Sequence, residues 1–235
     1  KAAEMNDPNA CYNLGGIYLN GRPGVERSSK DAMAWFLKAH KLGYESVAEE
    51  IKKVDELYWT EHVDDYSTKV SSSDHGLVDE QGGEYLFNKL LRIRDKSITS
   101  LHVAEGTRII CDNAFELCSN LSELIVPEGV VSIGSKAFWA CYSLKSITLP
   151  STLREIGDEA FRDCGNLSEV IISGGIVSIG KTFSRLRSLK SITLPSTLRE
   201  IGNEAFEYCD NLSEGIVCGG VVSIGRTAYG VCRSL

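Results

Sequence analysis

The side chains of this chain that could bind a metal, exchange electrons or attack a substrate are its eight cysteines and four histidines. Their spacing points elsewhere. No Cys-x-x-Cys occurs, and no cysteine stands at zinc-ligand spacing from a histidine. His40, His62, His75 and His102 fall in four unrelated contexts. His75 lies near Asp74 and Asp79 in an acidic stretch, where nothing rigid would hold a ligand or a general base. Five cysteines, Cys118, Cys141, Cys164, Cys209 and Cys232, share one position of an internal repeat, so they are expected as small buried packing residues. A disulfide framework in an oxidising compartment is the alternative reading, whereas reduced thiols fit the cytoplasm. Asn120, Asn166 and Asn211 each open an Asn-Leu-Ser sequon, and these follow from the repeat itself. Glu159, Asp163 and Glu204 are repeat-surface carboxylates. No Gly-rich phosphate loop, nucleophile elbow or His-Glu-x-x-His occurs, so no catalytic, cofactor or metal residue is assigned.

The elements that would position any site come from that repeat. Six copies of about 23 residues start at Ile98, Leu121, Leu144, Leu167, Leu189 and Leu212, and the fourth is one residue short. Leu144–Asn166 recurs at Leu189–Asn211 with four differences in 23 positions. Within one unit, Ile147 and Leu149 alternate with Ser146 and Thr148, the period of a strand with one buried face. Pro150 ends the strand because it cannot donate to a ladder. Leu153 and Ile156 return inward, and Gly157 turns the chain. Asp158 is then placed to cap a short helical turn carrying Ala160, Phe161 and Cys164. Stacked units would give a β-solenoid, each coil donating a strand, an aliphatic pair and a ring to one interior. At the last coil Gly215 stands at a buried aliphatic position, which predicts a weaker core there.

The pattern Leu-x-x-Ile-x-Leu-Pro-x-x-Leu-x-x-Ile-Gly-x-x-Ala-Phe-x-x-Cys resembles the BspA-like leucine-rich repeat over residues 98–235. That resemblance implies a leucine-rich solenoid serving as a binding or adhesion surface. Leu235 would open a seventh coil, so the array is expected to continue.

The first half reads as helical. Ala10, Leu14, Ile17 and Tyr18 fall on one helical face. Gly21, Pro23 and Gly24 break that helix, and Ser28 or Ser29 caps a second, which carries Ala32, Trp35, Phe36, Ala39 and Leu42 and ends at Gly43. The series Ala10, Leu14-Gly15, Tyr18, Gly21, Gly24-Val25, then Lys30, Ala32, Trp35-Phe36, Lys38-Ala39 and Gly43 resembles a Sel-one-like repeat, a relative of the tetratricopeptide repeat. It implies an adaptor built from an array of helical hairpins. Lys1-Ala2-Ala3 lines up with Lys38-Ala39-His40, so the chain is expected to start inside a preceding repeat. Val47, Ile51, Val54 and Tyr58 mark a terminal helix covering the array's last face. The expected organisation is therefore two solenoids in series: a helical repeat region over 1–60, an acidic linker over 61–83, a capping helix over 84–97, and the leucine-rich β-solenoid with short helical turns over 98–235.

Net charge is −7, which argues against nucleic acid, since that partner requires a concentrated basic face. No apolar run approaches the ~20 residues of a membrane span. The outward strand positions alternate between Glu123/Ile125, Glu169/Ile171 and Glu214/Ile216 in one coil type and Ser100/His102, Ser146/Thr148 and Ser191/Thr193 in the other. A second row alternates Arg108, Arg154 and Arg199 with Val131, Val177 and Val222, which sets like charges two coils apart. The Ile125–Ile171–Ile216 stripe, rimmed by glutamates, is the expected protein-contact surface. Isoleucine and threonine are also simply good strand formers. The expected function is a non-enzymatic protein–protein interaction scaffold without a cofactor. The alternatives are a cell-surface adhesin for host protein or glycan, and a targeting arm of a larger protein.

Overall fold

The computed structural model describes residues 6–61, 77–78, 81–86, 89–213 and 220–234. The chain divides into two compact units, Lys1–Leu77 with Tyr85–Asn88, and Val78–Glu84 with Lys89–Leu235.

In the first unit, helix α1 spans Pro8–Asn20 and helix α2 spans Ser29–Lys41. The Asp7 carboxylate accepts from the Asn9 N–H, and Pro8 opens the helix where a missing N–H costs nothing. Ser28 Oγ accepts from the Asp31 N–H at 3.1 Å. Gly43 takes φ +94° directly after α2, as expected of a left-handed stop. The buried line of α1 runs along Cys11 and Gly15, and the expected Ala10, Leu14, Ile17 and Tyr18 flank it half-buried. Gly15 meets Phe36 so closely that an added Cβ would fall 2.4 Å from the ring. A short 3₁₀ turn, Glu45–Val47, leads into helix α3, Ala48–Glu61, with Val47, Ile51 and Val54 buried. Among the described residues this unit holds three α-helices, one hairpin and a further helix, where an array of hairpins was expected. The Leu-Gly and Gly-x-x-Gly elements of the hairpin do not recur after Gly43, and among the described residues no further helix pairs with α3. Most of the acidic linker, residues 62–76 and 79–80, lies outside the described residues.

The second unit is the β-solenoid. Each coil has three sides. On the long-strand face, Ser100–His102 pairs in parallel with Glu123–Ile125, and Ser146–Leu149, Glu169–Ile172 and Ser191–Thr193 form a second parallel ladder. On the short-strand face, Lys89–Ile93, Ile109–Ile110, Ser132–Ile133 and Glu155–Ile156 pair in order, followed by Ser178–Ile179, Glu200–Ile201 and Ser223–Ile224. The third side is a turn face, and its interior is a row of rings. Phe115, Phe138, Phe161, Phe183, Phe206 and Tyr229 stack at centroid spacings of 4.8, 4.9, 5.4, 5.7 and 5.2 Å. This spacing approaches the strand separation of about 4.8 Å, so one ring fits per coil.

Two expectations need correction. The segment 84–97 is not a capping helix: Gly83–Leu86 and Lys89–Ile93 are strands. Lys89 and Leu90 stand in register with Ile109 and Ile110, and Ile93 N–H donates to Ala114 O at 2.8 Å. A solenoid edge presents unpaired main-chain groups, which a strand satisfies and a helix does not. The short apolar run carries no periodicity that separates the two. The second correction concerns the turn face, which is not helical. Residues four apart take positive φ in four of the coils, as in Lys136 (55°) and Ala140 (59°), and Glu159 (58°) and Asp163 (62°), while the other two show one such residue each, Arg185 and Val231. This breaks the i→i−4 ladder and aims alternate N–H groups at the next coil: Phe138 N–H donates to Ala160 O at 2.8 Å and Ala140 N–H to Arg162 O at 3.0 Å. Intervening residues close tight turns, such as Ala160 N–H to Gly157 O at 3.3 Å. Left-handed non-glycine residues cost about 1 kcal/mol or more each, and the coil-to-coil bonds hold them there. Asp158 caps no helix; its Oδ1 accepts from the Lys181 N–H of the next coil at 3.2 Å.

Candidate protein-contact surface

The long-strand face sends Leu101, Ile147, Val170 and Ile192 inward to near-complete burial. The period of two then forces Ser100 and His102, Glu123 and Ile125, Ser146 and Thr148, Glu169 and Ile171, Ser191 and Thr193 outward. Register places Glu169 between Ser146 and Ser191, and Ile171 between Thr148 and Thr193. Ile125 stands opposite His102. Ile125 is 54% exposed, whereas Ile171 is half-buried, shielded by the two threonines beside it. Glu123 and Glu169 are both exposed. Glu214 and Ile216 lie outside the described residues, as does Gly215 with its expected hole. The surface is thus an alternation of Glu-Ile and Ser-Thr rungs, with Ile125 its most prominent apolar group, rather than an unbroken isoleucine stripe.

The alternation of coil types has a steric cause that sequence reasoning missed. Arg154 bends over its own loop, Nη1 donating to the carbonyls of Ser151 and Leu153, both at 3.2 Å. Arg199 Nη1 does the same with Ser196 at 2.9 Å and Leu198 at 3.1 Å, and reaches Gly220 O at 3.2 Å. A Cβ on Gly175 would fall 1.9 Å from Arg154 Nη1, and one on Gly220 would fall 2.2 Å from Arg199 Nη1. The coils after Arg154 and Arg199 therefore require a glycine at these positions, whereas a Cβ on Gly129 would stand 3.8 Å from Arg108 Nη1, at ordinary contact distance. The signal was the Gly174-Gly175 and Gly219-Gly220 pairs, which occur only after Pro-Ser-Thr-Leu-Arg coils. Val177 and Val222 stay exposed in the same row.

The turn face carries ion pairs along the solenoid: Lys136 with Glu159 at 3.6 Å, and Lys181 with Glu204. Glu159 also pairs with Arg162, and Asp163 accepts from Trp139 Nε1 at 3.3 Å. Such partly exposed pairs contribute roughly 0–1 kcal/mol each and set coil register. They engage Glu159, Asp163 and Glu204 in structure.

The cysteine row is buried as expected through Cys118, Cys141, Cys164 and Cys209. The thiols of Cys141, Cys164 and Cys209 reach back to a phenylalanine carbonyl of the preceding coil, as in Cys141 Sγ to Phe115 O at 3.2 Å and Cys164 Sγ to Phe138 O at 3.0 Å. None of the seven cysteines among the described residues forms a disulfide. Burial pushes the Cys118 and Cys209 thiols up to about 12, away from the thiolate that reactivity requires. Asn120, Asn166 and Asn211 are exposed. His102 N–H donates to Gln81 Oε1 at 3.0 Å on the edge of the long-strand face, and His62 and His75 lie outside the described residues. Among the described residues, no three His, Cys, Asp or Glu side chains converge as a metal site, and no helix is long and apolar enough to cross a membrane.

Comparison with known proteins bears on this surface. Residues 108–235 match, in six copies, the family described as the BspA type leucine-rich repeat region. A leucine-rich repeat protein from Eubacterium ventriosum is similar in structure, with TM-score 0.55 and 21% identity over 70% of this chain and 52% of its own. The T. pallidum leucine-rich repeat protein shares 26% identity, covering 67% of this chain and 81% of its own at TM-score 0.48. A leucine-rich repeat protein from Bacteroides ovatus shares 27% over 60% of this chain and 42% of its own, at TM-score 0.49. The first of these likenesses shows the solenoid fold alone, and this chain spans about half of that protein's length. No curated protein matches the chain in sequence.

Proposed function

Because this chain belongs to the BspA-type leucine-rich repeat family, we propose that it is a non-enzymatic scaffold that holds a protein partner on the long-strand face of its solenoid. Leucine-rich repeat proteins are generally interaction scaffolds or surface proteins, which supports the class; the residues come from the geometry. The observation that carries the reading is the outward row itself: Glu123, Ile125, Glu169 and Ile171 stand on paired strands, and the Glu169–Ile172 strand sends Val170 and Ile172 fully into the core. Such a surface is ordered before binding, so little side-chain and loop entropy is lost on contact. Glu214 and Ile216 continue the same row by sequence. The helical hairpin serves as a second adaptor element of the Sel-one-like type. The packing of Gly15 on Phe36 supports that reading, because only a hydrogen fits where the two helices cross.

The test immobilises the full chain, identifies retained proteins by mass spectrometry, and repeats the capture with Ile125→Glu and Ile171→Glu. Ile125 is exposed, so a charge there leaves the core intact. A stoichiometric partner lost in both variants, with unchanged circular dichroism, supports the face. A partner that both variants retain refutes it.

A further inference from the structure

Among the described residues, the long-strand ladder is interrupted between the coils of Glu123–Ile125 and Ser146–Leu149. Among the described residues, no backbone hydrogen bond joins Glu123–Ile125 to Ser146–Leu149, although these strands lie in consecutive coils. The same two coils are bonded on their other sides. Ser132 and Ile133 pair with Glu155 and Ile156, and Phe138 N–H donates to Ala160 O. The coils therefore open on one face only.

Two further observations fall at the same point. The inner row Leu101, Ile147, Val170 and Ile192 is buried to 3% exposure or less, but Leu124 in that row is half-buried. A cleft of about 370 Å³ occupies the opening, lined by Leu124, Ile125, Val126, Ser146, Thr148 and Glu128 among others. Val126 stands in it where Leu149 and Leu194 stand in the neighbouring coil type, and its side chain, two carbons against three beyond Cβ, leaves room beside the half-buried Leu124. The short-strand ladder is also interrupted, between Glu155–Ile156 and Ser178–Ile179, yet both inner isoleucines there stay buried, so that break offers no opening.

The rim of the cleft is acidic. Glu123 and Glu169 are exposed beside it, and Glu128 is held as a carboxylate by the Ser151 N–H at 3.1 Å and Ser151 Oγ at 3.0 Å. A half-buried leucine among polar lining groups, strand edges not bonded to each other across the gap and acidic side chains beside them together describe one kind of ligand. We propose that this cleft docks an extended, lysine-bearing peptide segment of a protein partner, which seats one aliphatic side chain against Leu124 and Val126. The segment's main chain bonds the open strand edges, and its lysines face Glu123, Glu128 and Glu169. This assignment rests on the long-strand face being the contact surface and specifies what that face reads.

The test measures anisotropy of a labelled, end-capped nonapeptide, Lys-Thr-Val-Thr-Leu-Thr-Val-Thr-Lys, titrated with the full chain. Saturable binding is expected. It should weaken at least tenfold when the central leucine becomes glycine, when both lysines become glutamates, or when alternate amides are N-methylated. Val126→Leu, which fills the space beside Leu124, should weaken it as much with little change in melting temperature. Should Val126→Leu lower the melt, Ile125→Glu supplies the same test from an exposed position. No saturable binding, or binding indifferent to the central leucine and to N-methylation, overturns the cleft. Binding that Ile171→Glu abolishes but Val126→Leu and Ile125→Glu spare overturns the cleft and leaves the contact face standing.

Discussion

Replacing Phe161 by alanine tests whether the ring row is what couples the coils. Phe161 is fully buried and stacks on Phe138 at 4.9 Å and on Phe183 at 5.4 Å, both at 11° between planes. Burial loss and the cavity together cost about 3–5 kcal/mol for a phenylalanine truncated in a core. Each stacked pair adds roughly 0.5–1.5 kcal/mol beyond its buried area. Phe115 is equally buried but has one described ring partner, Phe138 at 4.8 Å. Phe161→Ala should therefore destabilise the solenoid by about 1 kcal/mol more than Phe115→Ala, the value of the extra stacked pair. Coils contact only their neighbours, so a hole in the middle should also lower the cooperativity of unfolding, whereas one near the end should not. Urea unfolding would be followed by circular dichroism and by Trp139 fluorescence with Trp35 and Trp59 replaced by phenylalanine. Trp139 is well placed because its indole bonds Asp163 of the following coil. If Phe161→Ala costs no more than Phe115→Ala, or leaves the slope of the transition unchanged, the stacked row does not couple the coils.

Two other outcomes follow from the same packing. Gly15→Ala sets a Cβ 2.4 Å from the Phe36 ring, an overpacking that should cost the helical hairpin about 1–3 kcal/mol; a helical melt that matches wild type would show that α1 and α2 do not depend on that contact. The buried thiols make the solenoid sensitive to alkali. Cys118 and Cys209 are pushed up to about 12 by burial, against about 8.5 in an unfolded chain. Their stabilising contribution is complete below about pH 8.5 and declines as pH climbs toward 12, because the unfolded state gives up its thiol protons first. The urea midpoint should fall between pH 8 and 10.5, and less steeply in a Cys118→Ala/Cys209→Ala variant; equal slopes would refute the account.

Much of the solenoid was legible because the strand period of two and the repeated Ile, Leu, Phe and Cys positions bury most of the same side chains in the coils up to Leu212. The helical hairpin was legible for a similar reason, with a cap at Ser28 and a stop at Gly43 local to their elements, whereas the Asp7 cap of α1 was not read from the sequence. The turn face was misread because Ala160 and Cys164, four apart, fit a helix in sequence, while the positive φ of Glu159 and Asp163 depends on carbonyls in the next coil. The strands at 83–93 were misread because an apolar run of that length has no decisive periodicity. The outward strand positions at Glu123, Ile125, Glu169 and Ile171 were legible from the period of two, but their unequal exposure was not. Ile171 is shielded by Thr148 and Thr193, and Ile125 faces the open cleft.

By itself the amino-acid sequence determined the coil: which residues face inward, where each strand ends, and that the unit repeats. These are short-range matters of side-chain period and backbone freedom. Only the tertiary structure decided how one coil meets the next. The arginine-over-glycine contacts, the ring spacing and the opening between Glu123–Ile125 and Ser146–Leu149 arise between residues more than 20 positions apart. There, small differences in volume such as Val126 against Leu149 are settled by close packing, which no single coil's sequence contains.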